Sequence, residues 1–192
     1  ETTVGILAIL KAGACCVLID ATWQPEHISA CIARKEIVIG LARPDLLQKL
    51  RIEGLRWLDF KAEDVAEGNL SSEAPIDQPA CIRFPSAQMI SPNGAVLSHR
   101  ALLNGTLAIA QEFGICKKDR IALGLMGLWG MEDLLASLVS GASIVLCPTD
   151  HLIDENLLHW IRETRITILA LTAARWQQMA HDLPLESPFP VE

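Results

Sequence analysis

The segment from Phe84 to Arg100 could form an anion-binding loop between an apolar strand and a helix. It reads Phe-Pro-Ser-Ala-Gln-Met-Ile-Ser-Pro-Asn-Gly-Ala-Val-Leu-Ser-His-Arg. Phosphate-binding loops use glycines, whose backbone N–H groups can curl around the anion, together with hydroxyls and a lysine that add donors and charge. Residues 85–93 include neither glycine nor lysine. The residues present therefore predict a poor phosphate site.

The same segment resembles the phosphate-binding loop of acyl-adenylating enzymes, which reads Y-T-S-G-[ST]-T-G-x-P-K-G-V-x-x-S-H-R, and it aligns without a gap. The retained residues are Ser86, Pro92, Gly94, Ser98, His99 and Arg100. The two loop glycines of the family are Ala87 and Ile90 here, and its lysine is Asn93. Ile90 places a β-branched side chain where a positive φ is needed, and Asn93 removes a full charge.

The resemblance implies a degenerate phosphate loop. Its residues are Ser86, Ala87, Gln88, Met89, Ile90, Asn93 and Gly94. ATP and Mg²⁺ are the cofactors of the family, but these residues predict that this chain binds neither. We also expect no metal site and no catalytic residue. His99 belongs to the helix start after the loop, so we expect it to have a structural role.

Three further segments resemble the amino-acid-activating domains of nonribosomal peptide synthetases. Residues 10–20 resemble L-K-A-G-x-x-Y-V-P-I-D, residues 23–27 resemble Y-P-x-E-R, and residues 136–146 resemble G-A-L-L-x-G-A-x-L-V-L. These are mainly helix-stop and strand residues, so they indicate fold rather than activity. They imply an α/β fold with largely parallel sheets flanked by helices, corresponding to partial N-terminal subdomains of an acyl-adenylating enzyme.

The position that anchors the substrate in the family also differs. Residues 127–133 align with F-D-x-S-x-x-E, whose aspartate holds the substrate ammonium, and here that aspartate is Leu128. A leucine leaves a desolvated ammonium without a partner, so we expect no substrate site. Aryl-acid and fatty-acid members of the family also lack the aspartate, so its loss alone would change only the substrate class. Glu132 and Asp133 could supply a carboxylate, although acids that complement a helix dipole are the simpler interpretation.

Apolar runs alternate with amphipathic stretches, which is typical of parallel sheets covered by helices. We expect one helix to stop at Gly13, one to begin at Pro25 and one to end at Gly141. A further helix is predicted over 44–50, and strands are predicted over 15–19, 143–146 and 166–171.

Residues 1–60 are predicted to form a first α/β half and residues 80–182 a second one that carries the altered loop. The acidic, proline-bearing stretch 61–79 is predicted to be a surface linker, and residues 183–192 a proline-rich exit linker. We expect Ser98 to cap the helix that begins at His99.

Composition and charge limit the partners and the cellular compartment that we expect for this protein. The formal charge of −7 gives no reason to expect nucleic acid or an anionic membrane as a partner. The six cysteines lack a C-x-x-C pair and are expected to be reduced core thiols, which agrees with a cytoplasmic protein. Asp20 and Asp150 are expected to be caps or turn formers. The tryptophans expected in the core or at interfaces are Trp129, Trp160 and Trp176.

We therefore expect a truncated, degenerate adenylation domain within a nonribosomal peptide synthetase or hybrid assembly line. It would act as a spacer or docking surface beside condensation or carrier domains, with the carrier loaded in trans. The resemblance implies a larger N-terminal portion and a lysine-bearing C-terminal lid, which 192 residues cannot include. Two alternatives stay open: a fragment of an active amino-acid or acyl adenylating ligase with an unusual ATP loop, and a stand-alone α/β interaction module.

Overall fold

The chain folds into helices and short strands in two compact units, residues Glu1–Leu102 and Leu103–Glu192. This computed structural model describes residues 2–19, 23–42, 46, 52, 54–58, 74–84, 94–123, 130–147, 156–171, 173 and 176–177. The α/β class is confirmed. The predicted division into halves and linkers stays a prediction, and residues 61–73 and 183–192 lie outside the described residues.

The described residues of the first unit form two small sheets. Its elements are α1 (Thr2–Lys11), β1 (Cys16–Val17), α2 (Pro25–Arg34), β2 (Ile39–Leu41), β3 (Arg56–Leu58), β4 (Pro79–Arg83), β5 (Ala95–Ser98) and the start of α3 (His99–Glu112). One sheet has the order β1-β4-β5, with β1 parallel to β4, and the other pairs β2 with β3 in parallel. The β4–β5 pair is antiparallel, which adds a hairpin to the predicted parallel arrangement.

Local signals in the sequence set the helix ends of this unit. Gly13 adopts a φ of +70° after α1, a conformation that costs glycine little, and its N–H donates to the Leu10 carbonyl at 3.0 Å. Pro25 occupies the first turn of α2, where its missing N–H would have no partner within the helix. Both helix boundaries were predicted and both are confirmed.

In the second unit, the part of the chain that is described forms a parallel three-stranded sheet with helices. Its further elements are β6 (Arg120–Leu123), α4 (Gly130–Val139), β7 (Ser143–Leu146), α5 (Asn156–Thr164) and β8 (Ile168–Leu169), with strand order β7-β6-β8. A buried cluster joins the middle strand to α5 and its flanks. Its members are Ala122, Cys147, Leu157, Trp160, Ile161 and Ile166. The cluster makes α5 an integral part of this core.

A hydrogen-bonded junction at Asp119 joins the amino ends of the three strands. The Asp119 carboxylate accepts from the Cys116 N–H and from the Thr167 hydroxyl, both at 2.8 Å, and the Thr167 hydroxyl accepts from the Arg120 N–H at 3.0 Å. The backbone carbonyl of Asp119 accepts from the Ser143 N–H at 2.9 Å. The hydrogen bonds to the carboxylate, first that from the Cys116 N–H and then that from the Thr167 hydroxyl, lower the pKa of Asp119.

We expect Asp119→Asn to remove a pH-dependent part of the stability. Because the folded-state pKa is depressed, this contribution is present above the unfolded value near pH 4 and is lost as the pH falls through the folded pKa. The carboxylate is near solvent, so we expect a loss of about 1 kcal/mol at pH 7. Urea unfolding at pH 7 and pH 3 should show a larger difference between wild type and variant at pH 7. An equal difference at both pH values would contradict the junction.

Some elements differ from the sequence prediction. The strand expected over residues 15–19 is limited to Cys16–Val17, and that expected over 166–171 to Ile168–Leu169.

Cys116 is exposed and Cys15 half-buried, so the prediction of core thiols is wrong for Cys116 and only partly right for Cys15. The expected helix over 44–50 lies almost wholly outside the described residues. Within the described ranges, no helix has both the length and the apolar character needed to cross a bilayer.

Candidate functional site

The β4–β5 hairpin presents the two ends of the predicted phosphate loop. Ile82 pairs with Val96 and Arg83 with Ala95, so the strands run together up to the described residues Phe84 and Gly94. The intervening loop residues, Ser86, Ala87, Gln88, Met89, Ile90 and Asn93, lie outside the described residues. Their assignment as a degenerate loop stays a prediction. What the structure defines is the frame that positions them.

Gly94 is required by the packing of this frame. A Cβ at residue 94 would lie 2.5 Å from Ile82 Cγ2, 3.0 Å from Phe84 Cε1 and 3.2 Å from the Arg83 carbonyl oxygen. The first distance is far below van der Waals contact. Its φ is not positive, so close approach, rather than a left-handed backbone, makes glycine necessary here. The family glycine retained at this position therefore has a packing role.

Phe84 is held in place at the other end of the loop. Its ring lies 5.7 Å from the ring of Trp23 between centroids, in an edge-to-face arrangement with an interplanar angle of 84°. Aromatic pairs prefer this geometry because the positive ring edge faces the negative ring face. The contact joins the end of β4 to the residues that precede α2.

The first-turn N–H groups of α3, which follows the hairpin, are already bonded within the protein. The Ala101 N–H donates to the Ser98 hydroxyl at 3.2 Å, which confirms Ser98 as the helix cap. The His99 N–H donates to the Gln78 carbonyl at 3.0 Å, and the Arg100 N–H donates to the Ile76 carbonyl at 2.8 Å. An anion at this helix end would have to displace these bonds.

A side-chain pair strengthens the contact between residues 76–78 and α3. Arg100 donates from Nε and Nη2 to the two carboxylate oxygens of Asp77, at 2.7 and 3.0 Å. The hydrogen bond from Arg100 lowers the pKa of Asp77, and the pKa of Arg100 is raised in return. Gln78 Nε2 also donates to the Gly13 carbonyl at 3.0 Å. Residues 76–78 therefore connect the end of α1 to the start of α3.

We expect Ser98→Ala to destabilise the protein by about 1 kcal/mol, because the Ala101 N–H loses its acceptor. Ser98→Asp is the matched control, since its carboxylate restores the acceptor and complements the helix dipole. Urea unfolding followed by circular dichroism would measure both effects. A loss as large for Ser98→Asp as for Ser98→Ala would argue against the cap.

The expectation that the loop does not bind ATP with Mg²⁺ stays a prediction, because the structure describes only the frame of the loop. The arginine retained from the family motif, Arg100, is paired with Asp77, and the first-turn N–H groups of α3 have acceptors. The loop between the strands lacks the glycines and the lysine that would supply new donors. Across the described ranges, no three His, Cys, Asp or Glu side chains are grouped to hold a metal. Asp20 and Asp150 lie outside those ranges.

The predicted substrate position is only partly described. Leu128 and Trp129 lie outside the described residues, whereas Glu132 and Asp133 occupy the first turn of α4 as expected. Their position agrees with acids that complement the helix dipole, and Glu132 is only 6% exposed, so its carboxylate lies in a buried setting. Desolvation raises the pKa of the half-buried Asp133. Gly105 of α3 lies opposite Glu132, and a Cβ added at Gly105 would lie 3.6 Å from Glu132 Cγ.

Three other residues were singled out in the sequence and are described by the structure: His99, Trp160 and Trp176. His99 is half-buried, and its Nε2 makes no hydrogen bond to the part of the chain that is described. Trp160 is in the core of the second unit, as expected, whereas Trp176 is 48% exposed. The sequence did not indicate that Asp77 and Gln78 make hydrogen bonds to other elements, and both residues were assigned to a surface linker. Their partners are distant in the chain, so no local pattern could have revealed them.

A comparison of the sequence with known protein families shows to which family the chain belongs. The family described as AMP-binding enzyme matches residues 1–190. The chain belongs to this family. The match includes both strands of the hairpin, the loop between them and the second unit as far as residue 190, so it covers all the segments that carry the acyl-adenylating resemblance.

The similar curated proteins are large assembly-line synthetases. The chain is 31% identical over 195 residues to the PKS-NRPS hybrid synthetase acdB of Aspergillus candidus, covering 94% of this chain and 8% of that protein. It is 27% identical over 177 residues to tyrocidine synthase 3 of Brevibacillus parabrevis, covering 88% of this chain and 3% of that protein. The chain therefore spans a small part of the relatives it matches.

Solved structures agree on the fold. The AMPPNP-bound form of the nonribosomal peptide synthetase FmoA3 superposes with a TM-score of 0.84 at 21% identity, covering 97% of this chain and 20% of that one. The O-succinylbenzoate coenzyme A synthetase of Bacillus subtilis, in complex with ATP and magnesium ion, gives 0.80 at 17% identity, covering 100% and 41%. At these identities the likeness concerns the fold alone.

Proposed function

We propose that this chain is a catalytically inactive adenylation-domain remnant within a nonribosomal peptide synthetase or hybrid assembly line. It acts as a folded spacer or docking surface. The observation that carries the proposal is the contrast between a retained hairpin frame and a loop whose phosphate-binding residues are replaced. Family membership supplies the fold, and these replacements supply the loss of activity.

The retained residues are those that folding needs. Gly94 permits the close approach to Ile82, and Ser98 caps α3. Gly13 and Gly141 end helices with φ values of +70° and +72°. A substitution at any of these positions would lower the free energy of unfolding, whether or not nucleotide is bound. Selection for folding alone would keep this set.

The replaced residues are those that only ligands need. Ala87 and Ile90 occupy positions where the family has glycine, and Asn93 occupies the lysine position. Leu128 stands where amino-acid-activating members have an aspartate for the substrate ammonium. These four residues would weaken phosphate and ammonium binding while affecting the scaffold little. The pattern supports an inactive domain over a fragment of an active ligase.

The proposed partners are neighbouring condensation or carrier domains of the same cytoplasmic assembly line. The similar synthetases from Aspergillus candidus and Brevibacillus parabrevis are much longer than this chain, so adjacent domains are a reasonable setting. The carrier domain beside an inactive adenylation domain needs an acyl group from elsewhere. We propose that another adenylating enzyme loads it in trans.

Pyrophosphate exchange tests the proposal on the chain and on its parent synthetase module. With a panel of amino acids and aryl acids, we expect no ATP-dependent exchange above a heat-inactivated sample, while an active adenylation domain assayed in parallel gives signal. The carrier domain should become acylated only after a separate adenylating enzyme is added. Exchange by the unmodified chain or module, or carrier loading without the added enzyme, would overturn the proposal in favour of an active ligase.

A further inference from the structure

Three cysteines lie together where β1 meets β4. Cys16 and Cys81 are direct partners in the parallel register of these strands, and Cys15 immediately precedes Cys16. Cys16 and Cys81 are 1% and 2% exposed, whereas Cys15 is half-buried and reaches solvent. The sequence alone does not reveal this group, because Cys81 is far from the other two along the chain.

The strand register places two of these thiols within reach of a covalent bond. Neighbouring strands are about 4.8 Å apart. The Cα atoms of a disulfide are usually about 4.4–6.8 Å apart. Register partners in a parallel pair also direct their side chains to the same face of the sheet. The typical strand spacing lies within the disulfide range, so the register of Cys16 and Cys81 is compatible with a bond between them.

The electrostatic surroundings distinguish the three thiols. Desolvation raises the pKa of Cys16 to about 12, with smaller contributions from Cys81 and Cys15. Desolvation also raises the pKa of Cys81, but the nearby Arg83 guanidinium opposes this effect. The pKa of Cys15 is raised by desolvation only. Cys15 is thus the accessible thiol, and Cys81 has the better stabilised thiolate of the two buried residues.

We propose that Cys15, Cys16 and Cys81 form a peroxide-responsive thiol site in which Cys15 reacts first and a Cys16–Cys81 disulfide is the product. Hydrogen peroxide oxidises the Cys15 thiol to a sulfenic acid and releases one water. Cys81 attacks that sulfur, forms a Cys15–Cys81 disulfide and releases a second water. Cys16 then attacks the Cys81 sulfur and frees Cys15 as a thiol. In total, one peroxide and two thiols give one disulfide and two waters.

The Cys16–Cys81 disulfide would link β1, at the edge of its sheet, to β4 in the middle of that sheet. β1 follows α1, and β4 leads directly into the loop of residues 85–93. Oxidation would therefore join covalently two parts of the first unit that are otherwise held by hydrogen bonds and packing. Because the thiols are reduced under ordinary cytoplasmic conditions, the cross-link would form only during oxidation.

Peptide mapping after peroxide treatment tests this site. A Cys116→Ser background removes the exposed thiol that could link two chains. After oxidation, alkylation and digestion, we expect a linked peptide pair joining Cys16 to Cys81, with Cys31 and Cys147 still alkylated. Dithiothreitol should reverse the linkage, and the oxidised chain should unfold at a higher temperature than the reduced chain.

Single variants assign the order of events. Cys15→Ser should slow formation of the Cys16–Cys81 link about tenfold or more while leaving the product unchanged, because the accessible thiol is gone. Cys81→Ser should leave Cys15 oxidised with no link, and Cys81→Ala provides a second variant should the first unfold. The proposal is overturned by over-oxidised Cys15 beside free Cys16 and Cys81, by another final disulfide, or by an unchanged rate in Cys15→Ser.

Discussion

Replacing Trp160 with alanine should destabilise the second unit by about 3–5 kcal/mol. The indole is 8% exposed and lies in the cluster that joins α5 to the sheet. Truncation removes its transfer free energy and leaves a cavity that the surrounding Leu157, Ile161 and Ile166 can fill only partly. This loss is comparable to the whole stability of a small domain, so the variant should be largely unfolded in dilute urea.

Trp176→Ala is the matched control, because Trp176 is 48% exposed and has the same side chain. We expect its effect to be below about 1 kcal/mol. Urea unfolding followed by tryptophan fluorescence and circular dichroism would compare the two. If both substitutions had equal effects, the cluster around Trp160 would not be the core of this unit.

Gly94→Ala should have the second largest effect, a loss of about 1–3 kcal/mol. The added methyl would lie 2.5 Å from Ile82 Cγ2 and 3.2 Å from a backbone oxygen, and backbone cannot move aside as a flexible side chain can. The strands of the hairpin would have to separate near the loop. Thermal unfolding and hydrogen exchange at Ile82 and Val96 would detect this change.

Gly105→Ala serves as the control with the opposite expected sign. Gly105 lies inside α3, and a Cβ there would meet Glu132 Cγ at an ordinary 3.6 Å. Because glycine is a poor helix former, we expect a gain of about 0.5–1 kcal/mol. Destabilisation by both substitutions to the same extent would contradict the distinction between a packed hairpin glycine and a helical one.

Much of the fold could be predicted because its signals are local. Gly13 and Gly141 mark helix ends, Pro25 a helix start and Ser98 a cap, and each predicts its boundary from its own backbone chemistry. The strand at Ser143–Leu146 was predicted with the bounds it has. These signals need no knowledge of tertiary structure.

The contacts that position the candidate site could not be predicted in the same way. Asp77 and Arg100 form a bidentate pair, and Gln78 bonds to the end of α1, but neither partner is close in sequence. Residues 76–78 are polar and follow an acidic stretch, which favoured assigning them to a solvated linker. The burial of Glu132 likewise depends on packing against other elements, which helix position alone does not reveal.

Calorimetric titration with ATP and magnesium at millimolar concentration would determine whether the altered loop has lost nucleotide binding. The wild-type chain should be compared with one that carries Ala87→Gly, Ile90→Gly and Asn93→Lys, which restore the family residues of the loop. We predict no binding heat for the wild type and measurable binding for the restored variant. Clear binding by the wild-type chain would contradict the proposal of an inactive domain.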